Sequence, residues 1–170
     1  MRVFDSAIGT GDLQLWSRRQ AVFAVLLTAA STACVHSGTS KAPSVLFVCQ
    51  AGTAKSPIAR EIFRRRANDR GIAVSAFSRG LVIEDHVSRR LKQQLAADGI
   101  NPGADPYQAL TAQDWRRADI LIWFNPLPPA VKHLAMRDWS DLPSFNDSYE
   151  TARPILYQRI DALLDELHGK

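Results

Sequence analysis

The chain has 170 residues, of which 46% are hydrophobic and 22% are charged, a balance that fits one globular domain. Its formal net charge of +4 suits anionic substrates but is too small to indicate a nucleic-acid-binding protein. With only 2 cysteines, the chain is not a disulfide-stabilised scaffold.

The first 33 residues are predicted to be an export signal peptide. A basic segment, Ser17-Arg18-Arg19-Gln20, precedes an apolar run from Ala21 to Ala30, and small residues then lead to Ala33. This order is typical of a secretory signal, and the run is too short to span a bilayer. The paired arginines fit twin-arginine export in part. The alternative is a cytoplasmic protein whose assigned start lies too far upstream.

Cys34 directly follows the predicted cleavage site. It resembles the attachment cysteine of a lipoprotein, although Ser31 replaces the usual aliphatic residue. We therefore expect either a periplasmic protein or a lipoprotein tethered to the membrane through Cys34. Residues 34–43 are mostly small and polar and are predicted to be a tether, so that residues 44–170 form the folded domain.

Beyond the tether, short apolar runs alternate with segments of helical periodicity. The predicted strands cover residues 44–49, 72–77, 120–124 and 136–139. The predicted helices cover residues 57–70, 88–98, 111–117, about 130–135 and 149–168. This alternation predicts an α/β fold: a single-domain doubly wound sheet of about four parallel strands with helices on both faces. Ligands bind such sheets at the carboxyl ends of strands, and Cys49 ends the first strand.

The segment that follows Cys49 is the most informative part of the chain. Five small or polar residues, Gln50-Ala51-Gly52-Thr53-Ala54, precede Lys55-Ser56-Pro57. Ser56 suits a helix N-cap and Pro57 suits the first helical position. Loop amides and the helix N-terminus would then face the sulfur and form an anion cradle, where positive potential favours the reactive thiolate. A cysteine, five residues and a cation are what phosphate-ester cleavage through a cysteinyl-phosphate requires.

Two other interpretations of this loop compete with the anion cradle. A free cysteine at a strand end is often structural, but five small or polar residues before a helix would contribute little to packing. Residues 52–56 are similar to the end of a nucleotide-binding P-loop. That motif requires glycine directly before the lysine and again five residues earlier, where this chain has Ala54 and Cys49. We therefore reject the nucleotide site.

The segment resembles the low-molecular-weight protein tyrosine phosphatases, whose fold is shared with the thioredoxin-coupled arsenate reductases. The resemblance rests on Val45–Cys49, on the spacing to Lys55 and on Ser56, Pro57 and Ala59. It continues in residues 78–80, 86–100 and 110–122.

The resemblance implies a role for each residue of the loop. Cys49 would be the nucleophile, Ser56 would hydrogen-bond its thiolate, and Lys55 would bind phosphate together with the loop residues Gln50, Ala51, Gly52, Thr53 and Ala54. The substrate would be a phosphorylated protein or a small aryl phosphate. We expect no metal ion, cofactor or nucleic acid, and the oligomeric state stays open.

The chain departs from the family pattern at three places. Lys55 replaces an arginine, which keeps the charge but loses a bidentate clamp, with an expected loss of about 2–4 kcal/mol of transition-state stabilisation. Ala51 and Gly52 replace glycine and asparagine, and Gly52 can still adopt a positive φ. Ser144 stands where the general acid is expected. Asp141 and Asp147, three residues to either side, are therefore the candidate general acids, unless they serve only in turns and caps.

Three functions remain open at this point. The first is a phosphomonoester hydrolase of the protein tyrosine phosphate type, acting through a cysteinyl-phosphate with reduced activity. The second is a catalytically degenerate module that binds phosphate or another oxyanion. The third is arsenate reduction, which is disfavoured because no cysteine follows Cys49 to accept the oxidation.

Overall fold

A parallel four-stranded sheet organises the part of the chain that the structure describes, a computed structural model covering residues 41–125 and 135–169. The strands are β1 (Ser44–Cys49), β2 (Ser75–Gly80), β3 (Ile120–Trp123) and β4 (Ala135–Asp138). Their order is β2-β1-β3-β4, and each neighbouring pair is parallel. The prediction of an α/β fold with a parallel sheet is confirmed.

Helices cover both faces of this sheet. They are α1 (Lys55–Asp69), α2 (Arg89–Ala97), α3 (Ala112–Arg117) and α4 (Phe145–His168), with a short 3-10 turn at Pro102–Ala104. Val45 and Phe47 of β1 belong to an apolar cluster with residues of α1, α2 and α4, whereas Leu46 and Val48 belong to a second cluster beside Trp115 of α3. Alternate residues of a strand face opposite sides, so the continuous apolar run of β1 reflects burial on both faces.

Two predicted elements begin three or more residues away from their predicted starts. β2 begins at Ser75 rather than at residue 72, because its residues pair one for one with those of β1, from Ser44 with Ser75 to Cys49 with Gly80. The last helix begins at Phe145 rather than at residue 149, but Ser148 has non-helical dihedral angles (φ −145°, ψ 53°) and kinks it there. Helical periodicity therefore located the regular part of α4.

Several predictions concern residues outside the described ranges. The signal peptide, the cleavage site at Ala33, Cys34, most of the tether and the helix near residues 130–134 all lie there. Residue 135 is the first residue of β4. In the described ranges, no helix is both long enough and apolar enough to cross a membrane.

Candidate active site

Cys49 lies at the carboxyl end of β1, at the bottom of a cavity of about 210 Å³. Only 4% of the residue is exposed. The cavity is walled by the loop after β1, the segment after β2, the end of β3 and the start of α4. Its polar lining residues are Gln50, Lys55, Glu84, His86, Asn125, Ser144 and Asn146. The chain therefore places its thiol where parallel sheets bind ligands.

The loop that follows Cys49 is held from outside through its carbonyl groups. The carbonyl oxygens of residues 49, 50 and 51 accept hydrogen bonds from the amides of Leu81, Val82 and Glu84, respectively, at 3.0–3.1 Å. Within the described residues, no hydrogen bond occupies the amides of residues 51–56. Because these amides lie in the loop and in the first turn of α1, they can bind an oxyanion beside the sulfur.

The start of α1 corrects one prediction. The N-cap is Ala54 rather than Ser56, and the first helical hydrogen bond runs from the Ile58 amide to the Ala54 carbonyl at 3.1 Å. Ser56 is fully buried, its Oγ lies 3.0 Å from Cys49 Sγ, and it donates a hydrogen bond of 3.0 Å to the Arg79 carbonyl. The N-cap prediction was wrong because the serine side chain is directed to the thiol and to β2.

The Ser56 hydroxyl fits both protonation states of Cys49. It carries one proton and two lone pairs. When Cys49 is a thiol, it donates a hydrogen bond to Ser56 Oγ, while the Ser56 hydroxyl donates its own proton in a hydrogen bond to the Arg79 carbonyl. When Cys49 is a thiolate, the hydroxyl proton turns toward sulfur, at the expense of the bond to Arg79. Ser56 can therefore stabilise the thiolate through a small rotation of one hydroxyl group.

Lys55 is half-buried on the cavity wall, and its Nζ donates a hydrogen bond of 2.5 Å to the Leu142 carbonyl. Burial lowers the pKa of this ammonium group, while the negative charges of Cys49 and Asp141 act in the opposite direction. An ammonium group has three donors, so two remain for an anion after the bond to Leu142. Lys55 thus joins the phosphate loop to the segment just before α4.

Asn125 contributes to the cavity and was not identified from the sequence. Its Oδ1 accepts a hydrogen bond of 3.1 Å from the Gln50 amide, so this amide is not free to bind phosphate and the free amides begin at Ala51. Its Nδ2 is buried and has no partner in the part of the chain that the structure describes. Since an unpaired buried donor costs about 1–3 kcal/mol, Nδ2 is suited to bind an acceptor that enters the cavity. The sequence signal for a role of Asn125 is its position two residues after β3, at the carboxyl end of a strand.

Thr53 fastens the loop to the segment after β2. This buried residue donates a hydrogen bond of 2.6 Å to the Glu84 carbonyl and accepts one of 3.2 Å from the His86 amide. Gly52, with φ 66°, provides the positive φ that the loop requires. As a result, the side chains of Glu84 and His86 are held at the rim of the cavity.

Neither candidate general acid lines the cavity above Cys49. Asp141 is exposed and accepts two hydrogen bonds from Arg159, at 2.8 and 2.6 Å, which hold the pKa of its carboxyl below the usual range. Asp147 is exposed in the first turn of α4. Neither carboxylate lines the cavity, whereas Ser144 does. A carboxylate whose charged form is stabilised by arginine is a poor proton donor, which argues against Asp141.

Comparisons with solved structures agree with this geometry. A crystal structure of YfkJ from Bacillus subtilis has a TM-score of 0.65 at 20% identity and covers 78% of this chain and 98% of its own. A low molecular weight protein tyrosine phosphatase from T. tengcongensis has a TM-score of 0.61 at 20% identity, over 74% of this chain and 99% of its own. A thioredoxin-dependent arsenate reductase from Corynebacterium glutamicum has a TM-score of 0.57 at 22% identity, over 76% of this chain and 64% of its own. These likenesses establish the fold.

Comparisons of the sequence with protein families and with curated proteins add to the likeness in fold. No curated protein matches the chain in sequence. The sequence model of the low molecular weight phosphotyrosine protein phosphatases matches residues 44–126, which span β1, the phosphate loop and β3. Over residues 44–126 the chain is therefore similar to the low-molecular-weight phosphotyrosine protein phosphatases, and this similarity, together with Cys49 and the shared fold, indicates a phosphatase-like hydrolase.

Proposed function

We propose that the protein hydrolyses aryl phosphomonoesters of the phosphotyrosine type through a cysteinyl-phosphate, with lower activity than an arginine-containing loop would give. The observation that carries this proposal is the arrangement around Cys49, whose Sγ lies 3.0 Å from Ser56 Oγ and is followed by a loop whose amides at residues 51–56 form no hydrogen bond within the described residues. Hydrolysis of p-nitrophenyl phosphate by the full chain tests it, and loss of that turnover on removal of the thiol is expected.

The reaction proceeds in two displacements at phosphorus. In the first, the Cys49 thiolate forms a bond to phosphorus while the bond to the aryl oxygen breaks, and the departing oxygen takes up a proton. In the second, water attacks, the sulfur–phosphorus bond breaks, and the thiolate is regenerated with a hydrogen bond from Ser56. The amides of residues 51–56 and the Lys55 ammonium bind the equatorial oxygens in both steps.

We propose that the proton for the leaving oxygen comes from the segment after β2 rather than from the segment before α4. Glu84 and His86 are the carboxyl and imidazole groups that line the cavity in the described residues. Of the two, we propose Glu84 as the proton donor, because its side chain forms no ion pair within the described residues. Its backbone is also held against the loop: the carbonyl accepts a hydrogen bond of 2.6 Å from Thr53, and the amide donates one of 3.1 Å to Ala51.

Replacement of Glu84 tests this assignment through the leaving group. Glu84→Gln should slow hydrolysis of substrates with poor leaving groups by about 100-fold and should barely affect p-nitrophenyl phosphate, whose leaving group needs no proton. The measurement is the slope of log kcat/KM against the leaving-group pKa. Asp141→Asn is the matched control and should leave that slope unchanged. A steeper slope for Asp141→Asn alone would return the role to Asp141.

Replacement of Lys55 tests the phosphate-binding cation. Burial lowers the pKa of Lys55, so phosphate binding should weaken as pH rises through that lowered value and the ammonium is neutralised. Arginine stays protonated and offers a planar fork, so Lys55→Arg should remove this alkaline limb and raise turnover of aryl phosphates by about tenfold or more. The measurement is kcat/KM and phosphate inhibition between pH 5 and about 10. Lys41→Arg, an exposed substitution outside the site, serves as control.

A specific observation favours one alternative, a module that binds an oxyanion without turnover. Lys55 Nζ already bonds the Leu142 carbonyl, so part of its donor capacity is committed elsewhere. Unchanged turnover in Lys55→Arg, together with tight phosphate binding by the original chain, would favour this module. Arsenate reduction has weak support from the fold that the chain shares with the arsenate reductase from Corynebacterium glutamicum, but no cysteine follows Cys49 to accept the oxidation. The export expectation depends on residues 1–33 and stays a prediction.

A further inference from the structure

A second and larger cavity lies beside the active site. Its volume is about 800 Å³, within the range of ligand pockets, and it is bounded by α2, the 3-10 turn and the segment after β2. Leu95 and Ile100 are buried at its base, while Ile83 and Tyr107 are 42% and 38% exposed at its rim. The cavity therefore offers apolar surface that remains open to solvent, and the reaction described above does not use it.

One segment separates the two cavities. Glu84 and His86 line the active-site cavity, whereas Ile83, Asp85 and Val87 line the larger one. Alternate side chains thus face opposite cavities, as in an extended chain. Thr53 of the phosphate loop also lines the larger cavity. Residues 83–87 thus form a shared wall between the two cavities, and one molecule that occupied both would pass over this segment.

The lining of the larger cavity selects an uncharged, apolar occupant. Its two charged residues, Asp85 and Lys92, form an exposed ion pair at 3.3 Å and offset each other. Next to its rim, Leu81 and Val82 are also exposed, at 40% and 39%, which extends the apolar surface along the same segment. Contiguous exposed apolar surface next to a reaction centre is typical of a site that receives part of a macromolecular ligand.

We propose that this cavity binds a hydrophobic side chain of a phosphorylated polypeptide, on a residue close in sequence to the phosphorylated one, because alternate residues of one segment line the two cavities. This inference rests on the proposed phosphatase function and specifies its substrate as a polypeptide with an apolar residue next to the phosphorylated site. A small aryl phosphate fills only the cavity above Cys49 and does not reach the larger one.

The experiment compares phosphotyrosine peptides that carry one leucine in a glycine-serine background, placed in turn at each position from −3 to +3. Burial of a leucine side chain corresponds to roughly tenfold or more in affinity. One position should therefore lower KM, and the dissociation constant measured by fluorescence polarisation, by about tenfold. The substitution Ala96→Trp fills the cavity from the exposed surface of α2 and should abolish that preference.

Ala97→Trp is the matched control, since Ala97 is the next residue of α2, is exposed and does not line the cavity. It should keep the leucine preference, and both variants should retain wild-type turnover of p-nitrophenyl phosphate, wild-type melting temperature and wild-type oligomeric state. No preference at any position, or a preference that survives Ala96→Trp, overturns the proposal, as does a change of oligomeric state in that variant alone. Absence of p-nitrophenyl phosphate turnover in the wild-type chain would instead refute the phosphatase function, and the polarisation measurement would still decide the role of the cavity.

Discussion

Cys49→Ser should abolish hydrolysis of p-nitrophenyl phosphate, lowering kcat by about 10⁴-fold or more, as removal of an enzyme nucleophile does. The hydroxyl that replaces the thiol is not ionised near neutral pH and cannot form the cysteinyl intermediate. Phosphate binding should be nearly retained, because the amides of residues 51–56 and Lys55 remain in place. The measurements are steady-state turnover and the inhibition constant for inorganic phosphate.

The other cysteine of the chain provides the matched control for this experiment. Cys34→Ser changes the first residue of the predicted tether and should leave turnover unchanged. Phosphate or vanadate should also protect Cys49 from iodoacetamide, because the bound anion covers the sulfur. Residual turnover in Cys49→Ser comparable with the wild type would show that the reaction, if it occurs, does not use the thiol.

Gly80→Ala should have the second largest effect, on both folding and activity. A Cβ at Gly80 would lie 2.2 Å from the Val82 carbonyl oxygen and 2.6 Å from the Gly52 Cα, and neither backbone atom can move without shifting the phosphate loop. Overpacking of this kind typically costs 1–3 kcal/mol, so we expect the free energy of unfolding to fall by about 3 kcal/mol. Displacement of the loop amides by about 1 Å should lower kcat/KM by about 100-fold.

Gly103→Ala is the control for this substitution. A Cβ there would meet only Tyr107 Oη at 3.4 Å and Asn101 Oδ1 at 3.6 Å, both ordinary contacts. Its melting temperature in differential scanning calorimetry and its turnover should stay close to those of the wild type. If Gly80→Ala and Gly103→Ala have the same melting temperature and turnover, the close approach of residues 52 and 80 does not determine the position of the loop.

Much of the fold follows from local patterns. β1 contains the uninterrupted apolar run Val45–Cys49, and the structure buries all six residues of the strand. The alternation of such runs with amphipathic segments predicted the parallel sheet. The bounds of β2 did not follow, because Ile72 and Val74 are apolar but pack partly buried against the core, outside the strand that starts at Ser75. Apolar character predicts burial, whereas pairing partners decide where a strand begins.

The candidate site was predictable only where it is local in the sequence. Cys49, the loop and the start of α1 occupy consecutive residues, so their spacing alone indicated an anion cradle with a thiol beside it. The family pattern predicts a general acid near Ser144, whereas the structure places Glu84 in the lining of the cavity. Glu84 and Asn125 were not considered, since the segments that carry them are ordinary in composition and reach the cavity only through the order of the strands.

The sequence by itself determined the strand, loop and helix around Cys49, the class of fold and the family that the loop resembles, since each depends on spacing over a few residues. The tertiary structure decided what surrounds the thiol. Ser56 meets Arg79 across 23 residues, Gln50 meets Asn125 across 75, and Lys55 meets Leu142 across 87. Such contacts arise from packing of the whole sheet and its helices, so no local pattern encodes them. They determine which amides stay free, where the lysine points and which carboxylates face the cavity.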